Sequence, residues 1–322
     1  MTERNGMRYG VLGLIVLTLL IFLGLMVAMQ STSTSTPAAP SAATTPVLES
    51  LAALDGQAPA RRALDLQTWT TAEGAKVLFV AAPQLPMFDL RLTFAAGSSQ
   101  DGNVPGLAML TNAMLNEGVA GKDVGAIAEG FEGLGAQFGN GAYRDMAVAS
   151  LRSLSQRDLR EPALALFTEV LGAPSFPADS LARIQNQLLA GFEYQKQNPG
   201  KLAGIALFEA LYGSHPYAHS SDGNAQSIPA ITLEQLRAFH AKAYTASNAV
   251  IAVVGDLSRS EAEAISAQVS AALPKGPALA KTPQPDVPKA GRQHIEHPSK
   301  QTHLLLAQHE PARLDLGEEL GL

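Results

Sequence analysis

The chain has 322 residues, with 23 Lys and Arg against 29 Asp and Glu for a net charge of -6, and it contains no cysteine. The lack of cysteine excludes disulfides, thiolate catalysis and Cys-based zinc or iron-sulfur sites. An acidic chain without a basic cluster is a poor partner for nucleic acid, whose phosphates need Lys and Arg to displace counterions.

Val11 to Met29 is an almost uninterrupted apolar run, long enough to cross a bilayer as a helix. Arg4 and Arg8 precede it, and no Lys or Arg follows until Arg61. The positive-inside rule therefore keeps the N-terminus cytoplasmic and sends the body to the periplasm or another extracytoplasmic space. Residues 1–30 are expected to form a membrane anchor, left uncleaved on the length of the run. A signal peptide cut near Ala38–Ala43 is the alternative. Residues 31–60, rich in Ser, Thr, Pro and Ala, have no apolar periodicity to bury and read as a tether.

The folded body is expected over residues 61–273, beginning near Trp69. Thr68–Thr71 and Lys76–Ala81 flank Glu73 and Gly74 as a hairpin, and Phe88–Phe94 alternates as a half-buried strand does. After Pro105, a permitted first-turn residue, Leu107, Leu110 and Met114 make the apolar stripe of an amphipathic helix. Taken alone, that stripe is what any core helix shows. Capping boxes at Thr232-x-x-Gln235 and Ser258-x-x-Glu261 open two later helices, on either side of a strand containing Val253 and Val254. Strand runs followed by helix runs indicate an α+β layered domain. Gly133, Gly135, Gly139 and Gly141 match neither a dinucleotide fingerprint nor a P-loop and are expected to serve bends. Residues 274–291, rich in Pro and Lys, read as a linker before residues 292–322.

One stretch carries more. Phe94-Ala-Ala-Gly-Ser-Ser-Gln-Asp101 leads into Gly106-Leu-Ala-Met-Leu-Thr-Asn-Ala113, which resembles the strand, acidic loop and Gly-Leu-Ala-His-x-x-Glu-His helix of the pitrilysin/insulinase (M16) family of zinc peptidases. The likeness is to its bacterial and mitochondrial-processing-peptidase branch. It continues through Asn116-Glu-Gly118, Ala126–Ala136, a strand over Tyr143–Ser150, Phe176–Ser180, Leu211–Tyr217, Ile231–Phe239, and Tyr244 to Asp256. Gln293–His297 and Thr302–Ala307 are similar to the opening strand of the family's second domain. The resemblance implies a two-layer domain with a mixed or antiparallel sheet and helices on one face.

On this alignment the two zinc histidines fall on Met109 and Ala113, and the catalytic glutamate on Asn112. In an active helix, imidazoles at i and i+4 share a face and bind one zinc, while the carboxylate at i+3 takes a proton from the metal-bound water. A thioether is a poor zinc ligand, a methyl group has no donor atom, and an amide is no base near neutral pH. The family's third ligand, a glutamate on a later helix, falls within Ala182–Ala190, where Arg183, Gln185, Asn186 and Gln187 stand and Glu193 is the nearest acid. No catalytic residue and no cofactor is therefore expected in this chain, although active members hold zinc.

The remaining candidates carry little. At strand spacing His294 and Glu296 share a face while His297 points away, His303 lies farther on, and Pro216 interrupts His215 and His219. The resemblance implies a membrane-tethered, inactive subunit that pairs with a zinc-bearing homologue and binds unfolded peptide. A metallopeptidase using an unrecognised site and a truncated, non-functional product remain the alternatives.

Overall fold

The computed structural model describes residues 64–308. The expected anchor and tether lie outside those residues, as does the end of the chain beyond residue 308. Among the described residues, no helix is long and apolar enough to cross a membrane.

Among the described residues, eight strands and seven α-helices make up the body, with four of the helices in succession between the seventh strand and the eighth. The hairpin expected at its start forms as β1 (Gln67–Thr70) and β2 (Lys76–Ala81). β3 (Met87–Phe94) then lies two places away in the sheet, because β8 (Ala249–Gly255), the last strand in sequence, fills the gap between them. β6 (Gln137–Ala142) and β7 (Ala147–Leu154) complete the order β1-β2-β8-β3-β7-β6. β2 and β8 run parallel, and every other pair is antiparallel. A separate small ribbon joins β4 (Gly118–Val119) to β5 (Lys122–Asp123).

Alternation decides which face of the sheet is covered. On β3, Phe88, Leu90, Leu92 and Phe94 are buried while Asp89 and Arg91 are exposed; on β8, Ile251 and Val253 are buried while Val250 and Val254 are open. The buried side meets the helices α1 (Leu107–Ala113), α2 (Val124–Glu132), α3 (Arg157–Gly172), α6 (Leu233–Ala243) and α7 (Arg259–Ala272) in one continuous apolar core. Each fully buried Leu or Phe there contributes about 1.5–3 kcal/mol before entropy is counted. Both expected capping boxes form: Thr232 and Gln235 start α6, and Ser258 and Glu261 start α7. The remaining helices, α4 (Ala178–Gln195) and α5 (Pro199–Tyr212), follow one another between α3 and α6.

Two expectations shift. The strand expected from Tyr143 begins only at Ala147, because residues 143–146 form the tight turn of a hairpin whose first strand, β6, holds Gly139 and Gly141. Gly133 and Gly135 do lie at the bend after α2, but the other two glycines are strand residues. Ser150 donates its hydroxyl to the carbonyl of Gly139, and a Cβ on Gly139 would stand 3.0 Å from that hydroxyl. Second, residues 274–308 form no helix or strand, so no strand appears over 293–307. A strand needs a ladder partner, and no described segment pairs with it; Leu304 and Leu306 are 88% and 94% exposed.

Candidate functional site

α1 is a short helix, and its position is fixed from outside its own sequence. The loop before it docks on the β6–β7 turn, with the N–H groups of Ser98 and Ser99 donating to the carbonyls of Tyr143 and Arg144 at 2.9 and 2.8 Å. Asp101 then reaches forward to the helix start, where its two carboxylate oxygens accept the N–H groups of Gly106 (2.8 Å) and Ala108 (2.7 Å). Those donors have no partner inside the helix. Burial pushes the Asp101 carboxyl up to about 7, against the opposing pull of the Ala108 and Gly106 N–H groups. His219 Nδ1 lies 3.9 Å from the same carboxylate.

Gly106 has φ of +92° and Gly223 has φ of +74°. Besides needing left-handed backbone, the two approach each other closely: a Cβ on Gly106 would meet Ile228 at 2.7 Å and the Gly223 backbone at 3.0 Å. This contact seats the loop around His219 over the start of α1.

At the motif positions, Met109 and Ala113 lie one turn apart on the half-buried stripe of α1. Asn112 faces inward and is 2% exposed. Its amide donates to the Val148 carbonyl (3.2 Å) and to the Tyr244 hydroxyl (3.1 Å). Since Val148 offers an acceptor, position 112 requires a donor there, which a carboxylate is not. Tyr244 is fully buried, and burial raises its phenol pKa, opposed by the Asn112 bond. Its ring packs on Phe94 at 4.8 Å and stacks on His240 at 5.2 Å. His240 donates from Nε2 to the Leu171 carbonyl, and burial lowers its pKa, keeping it neutral. A buried polar chain thus runs from β7 through position 112 to α6.

The helix matched to the third ligand is equally occupied. Arg183 pairs with Glu117 just beyond α1, and Gln185 donates to the carbonyls of Ile228 (2.8 Å) and Ile231 (3.0 Å). Asn186 and Gln187 are exposed, and Glu193 pairs on the surface with Lys196. Thioether, methyl and an amide already bonded to backbone do not fit a zinc ion.

His294 contacts Glu296 at 3.1 Å, His297 contacts the Lys196 carbonyl, and His215 contacts the Pro283 carbonyl. No group of three His, Asp or Glu side chains able to hold a metal occurs among the described residues. Sequence reasoning missed Asp101, Asn140 and the partnership of Asn112 with Tyr244. Asn140, on β6, donates to the Asn112 carbonyl (2.6 Å) and lies 3.4 Å from the Asn116 side chain. Only Asp101, ahead of a helix that lacks a capping side chain at Gly106, left a sequence signal.

A sequence profile described as the peptidase M16 inactive domain matches residues 230–322. A Helicobacter pylori protein named non-peptidase homolog YmxG is 30% identical over 176 residues, which are 54% of this chain and 40% of that one. A Mycobacterium leprae protein named uncharacterized zinc protease ML0855 is 23% identical over 193 residues, 60% of this chain and 43% of that one. The crystal structure of a peptidase M16 inactive domain from Pseudomonas fluorescens is 80% identical, with a TM-score of 0.70 over 70% of this chain and 55% of that chain. The chain thus spans less than half the length of these curated relatives and about half of the solved one. Fold and relatives converge on likeness to the peptidase M16 family and its inactive domain, and Met109, Asn112 and Ala113 stand at the positions that the resemblance aligns with His-x-x-Glu-His.

Proposed function

We propose that this chain binds extended peptide without cleaving it, as an inactive subunit beside a zinc-bearing homologue, with its body outside the cytoplasm and its N-terminal apolar run in the membrane. The observation that carries the reading is the edge of β6. β6 ends the sheet, and the Tyr143 N–H donates to the Met146 carbonyl at 2.7 Å. In an antiparallel ladder hydrogen-bonded pairs alternate, so from that pair and the strand register residues 141, 139 and 137 bond to β7. Phe138, Asn140 and Ala142 then point their N–H and C=O groups away from the sheet. Among the described residues this is a short open edge able to take another strand by backbone pairing, and Asn140 ties it to α1. Loss of bond cleavage follows from the side chains at 109, 112 and 113, which supply neither metal ligands nor a base.

The partner and the location rest on the sequence: the family resemblance and the Arg4, Arg8 and Arg61 asymmetry. The name of the Mycobacterium leprae relative favours a second reading, an active zinc peptidase, and the same experiment tests both. A C-terminally tagged full-length chain is recovered from native membranes and assayed for peptide cleavage with and without a chelator. Co-recovery of a His-x-x-Glu-His protein, with chelator-sensitive cleavage that the chain without it lacks, supports the subunit reading. Chelator-sensitive cleavage by the chain alone establishes the peptidase instead. Within the recovered complex, Ala142→Pro removes one outward N–H at a position where an edge strand tolerates proline, and is expected to weaken peptide binding while leaving assembly intact.

A further inference from the structure

The side chains beside the open edge set what peptide it accepts. Met109 and Ala113 are half-buried, whereas Leu107, Ala108, Leu110, Thr111, Asn112, Met114 and Leu115 around them are buried; Asn116, the next residue on the same stripe, is also half-buried. α1 packs against β6 and β7, and Asn140 reaches from β6 to Asn116. The stripe therefore borders the edge, and a strand added to β6 would present alternate side chains to Met109, Ala113 and Asn116. None of these is ionisable. The nearest charges after α1 belong to Glu117, which is 8% exposed, and to the more open Arg183 that pairs with it, so the two compensate each other and leave no net charge beside the stripe.

We infer that the β6 edge and the Met109–Ala113–Asn116 stripe form one peptide seat that takes extended segments with uncharged, apolar side chains and rejects acidic or basic ones. The inference rests on the peptide-binding reading above and adds its selectivity. Met109 is suited to such a seat, because an unbranched thioether adapts to different apolar partners. A charged side chain would be drawn from water against a methyl, a thioether and two amides with no counter-ion, which costs far more than burying an apolar one.

The test uses the full-length chain in detergent at about 0.15 M salt, where exposed charges farther apart than about 8 Å are largely screened. Peptides with blocked ends carry three consecutive central guests, Leu, Asp or Lys, so that no register keeps the guest away from the stripe. Fluorescence anisotropy is expected to show the Leu peptide binding at least about tenfold more tightly than either charged peptide. Met109→Lys should weaken the Leu peptide and make the Asp peptide preferred over Lys. Ala113→Glu, at a half-open position, should make the reverse choice, and cooperative thermal unfolding checks that each variant folds. Equal binding of the three peptides, or Lys binding tightest to the wild-type chain, overturns the seat while leaving peptide binding in place. If no peptide binds the wild-type chain, the peptide-binding reading falls and the seat with it. The wild-type ranking decides the matter even if both variants misfold.

Discussion

α1 and α5 are both rich in apolar residues, yet they sit in the molecule in opposite ways. α1 has seven residues, of which Leu107, Ala108, Leu110, Thr111 and Asn112 are buried. Its polar side chains are all engaged: Thr111 donates back to the Leu107 carbonyl, and Asn112 bonds to β7 and Tyr244. α5 has fourteen residues, apolar almost all round, and only Ala206 among them is buried. It is held at its edges, by the Asn198 cap on the Lys201 N–H and by the Arg144 guanidinium 4.5 Å over the Phe208 ring. Apolar composition therefore does not say where a helix is anchored. Asn112, which the resemblance aligns with the family's catalytic glutamate, bonds both β7 and Tyr244, so the helix is held there without an acid.

The contrast breaks most sharply at position 112. Asn112→Asp sets a carboxylate against the Val148 carbonyl in a buried site with no cation. It should cost about 4 kcal/mol, the scale of an uncompensated buried charge, as read from denaturant unfolding. A loss below about 1 kcal/mol would show that the amide bonds are incidental. Gly223→Ala acts through backbone. Its Cβ would fall 2.6 Å from the Pro105 carbonyl at a φ of +74°, and the expected loss is about 2–3 kcal/mol. The same change at Gly204, within α5, meets no atom within 4 Å and should stabilise the chain by about 0.5–1 kcal/mol through helix propensity.

Asp101 gives the comparison a pH dependence. Its carboxyl is raised to about 7 in the folded chain, from roughly 3.9 in an unfolded one. Between those values the native state keeps a proton that the unfolded chain has released. The contribution to stability is then complete below about pH 4 and is lost as pH rises towards 7, at up to about 1.4 kcal/mol per pH unit. Asp101→Asn should remove that slope from an unfolding series between pH 4 and 8. It should also lower stability at acid pH by about 1 kcal/mol, because an amide oxygen replaces only one of the two acceptors. Stability of the wild-type chain rising with pH through this window would show that the ionised form is the one the helix start favours.

Much of the fold was legible because it follows from local rules. The β1–β2 hairpin, the alternation of β3 and the two capping boxes need only neighbours in sequence. β6 was not legible: Gly139 and Gly141 depress strand propensity, and the strand is specified by pairing with β7 and by Ser150. The placement of β8 between β2 and β3 is a long-range choice with no local mark. At the site, the substitutions at 109, 112 and 113 could be read from spacing, but what Asn112 does instead depends on Val148 and on Tyr244, 132 residues away. The resemblance also suggested a strand over 293–307 that has no partner in the described residues. Pairing, unlike alternation, is not a property of one segment.

The smallest expected effect lies on the outer side of α4 and α5. Tyr194 is 76% exposed and forms none of the described side-chain hydrogen bonds, so Tyr194→Ser should change stability by no more than about 0.5 kcal/mol. Hydrogen exchange completes the comparison. Amides of α1 are covered by the sheet and by the loop around Gly223 and should exchange near the rate of global unfolding, whereas those of α5 should exchange through cheaper local opening. If α5 proves as protected as α1 while Tyr194→Ser remains neutral, its half-exposed apolar residues are covered in solution by a surface outside the described residues, and the contrast between the helices disappears. If α5 exchanges early, its apolar composition is not used for packing within this body, and the same residues become the first place to look for the homologue that the proposed function requires.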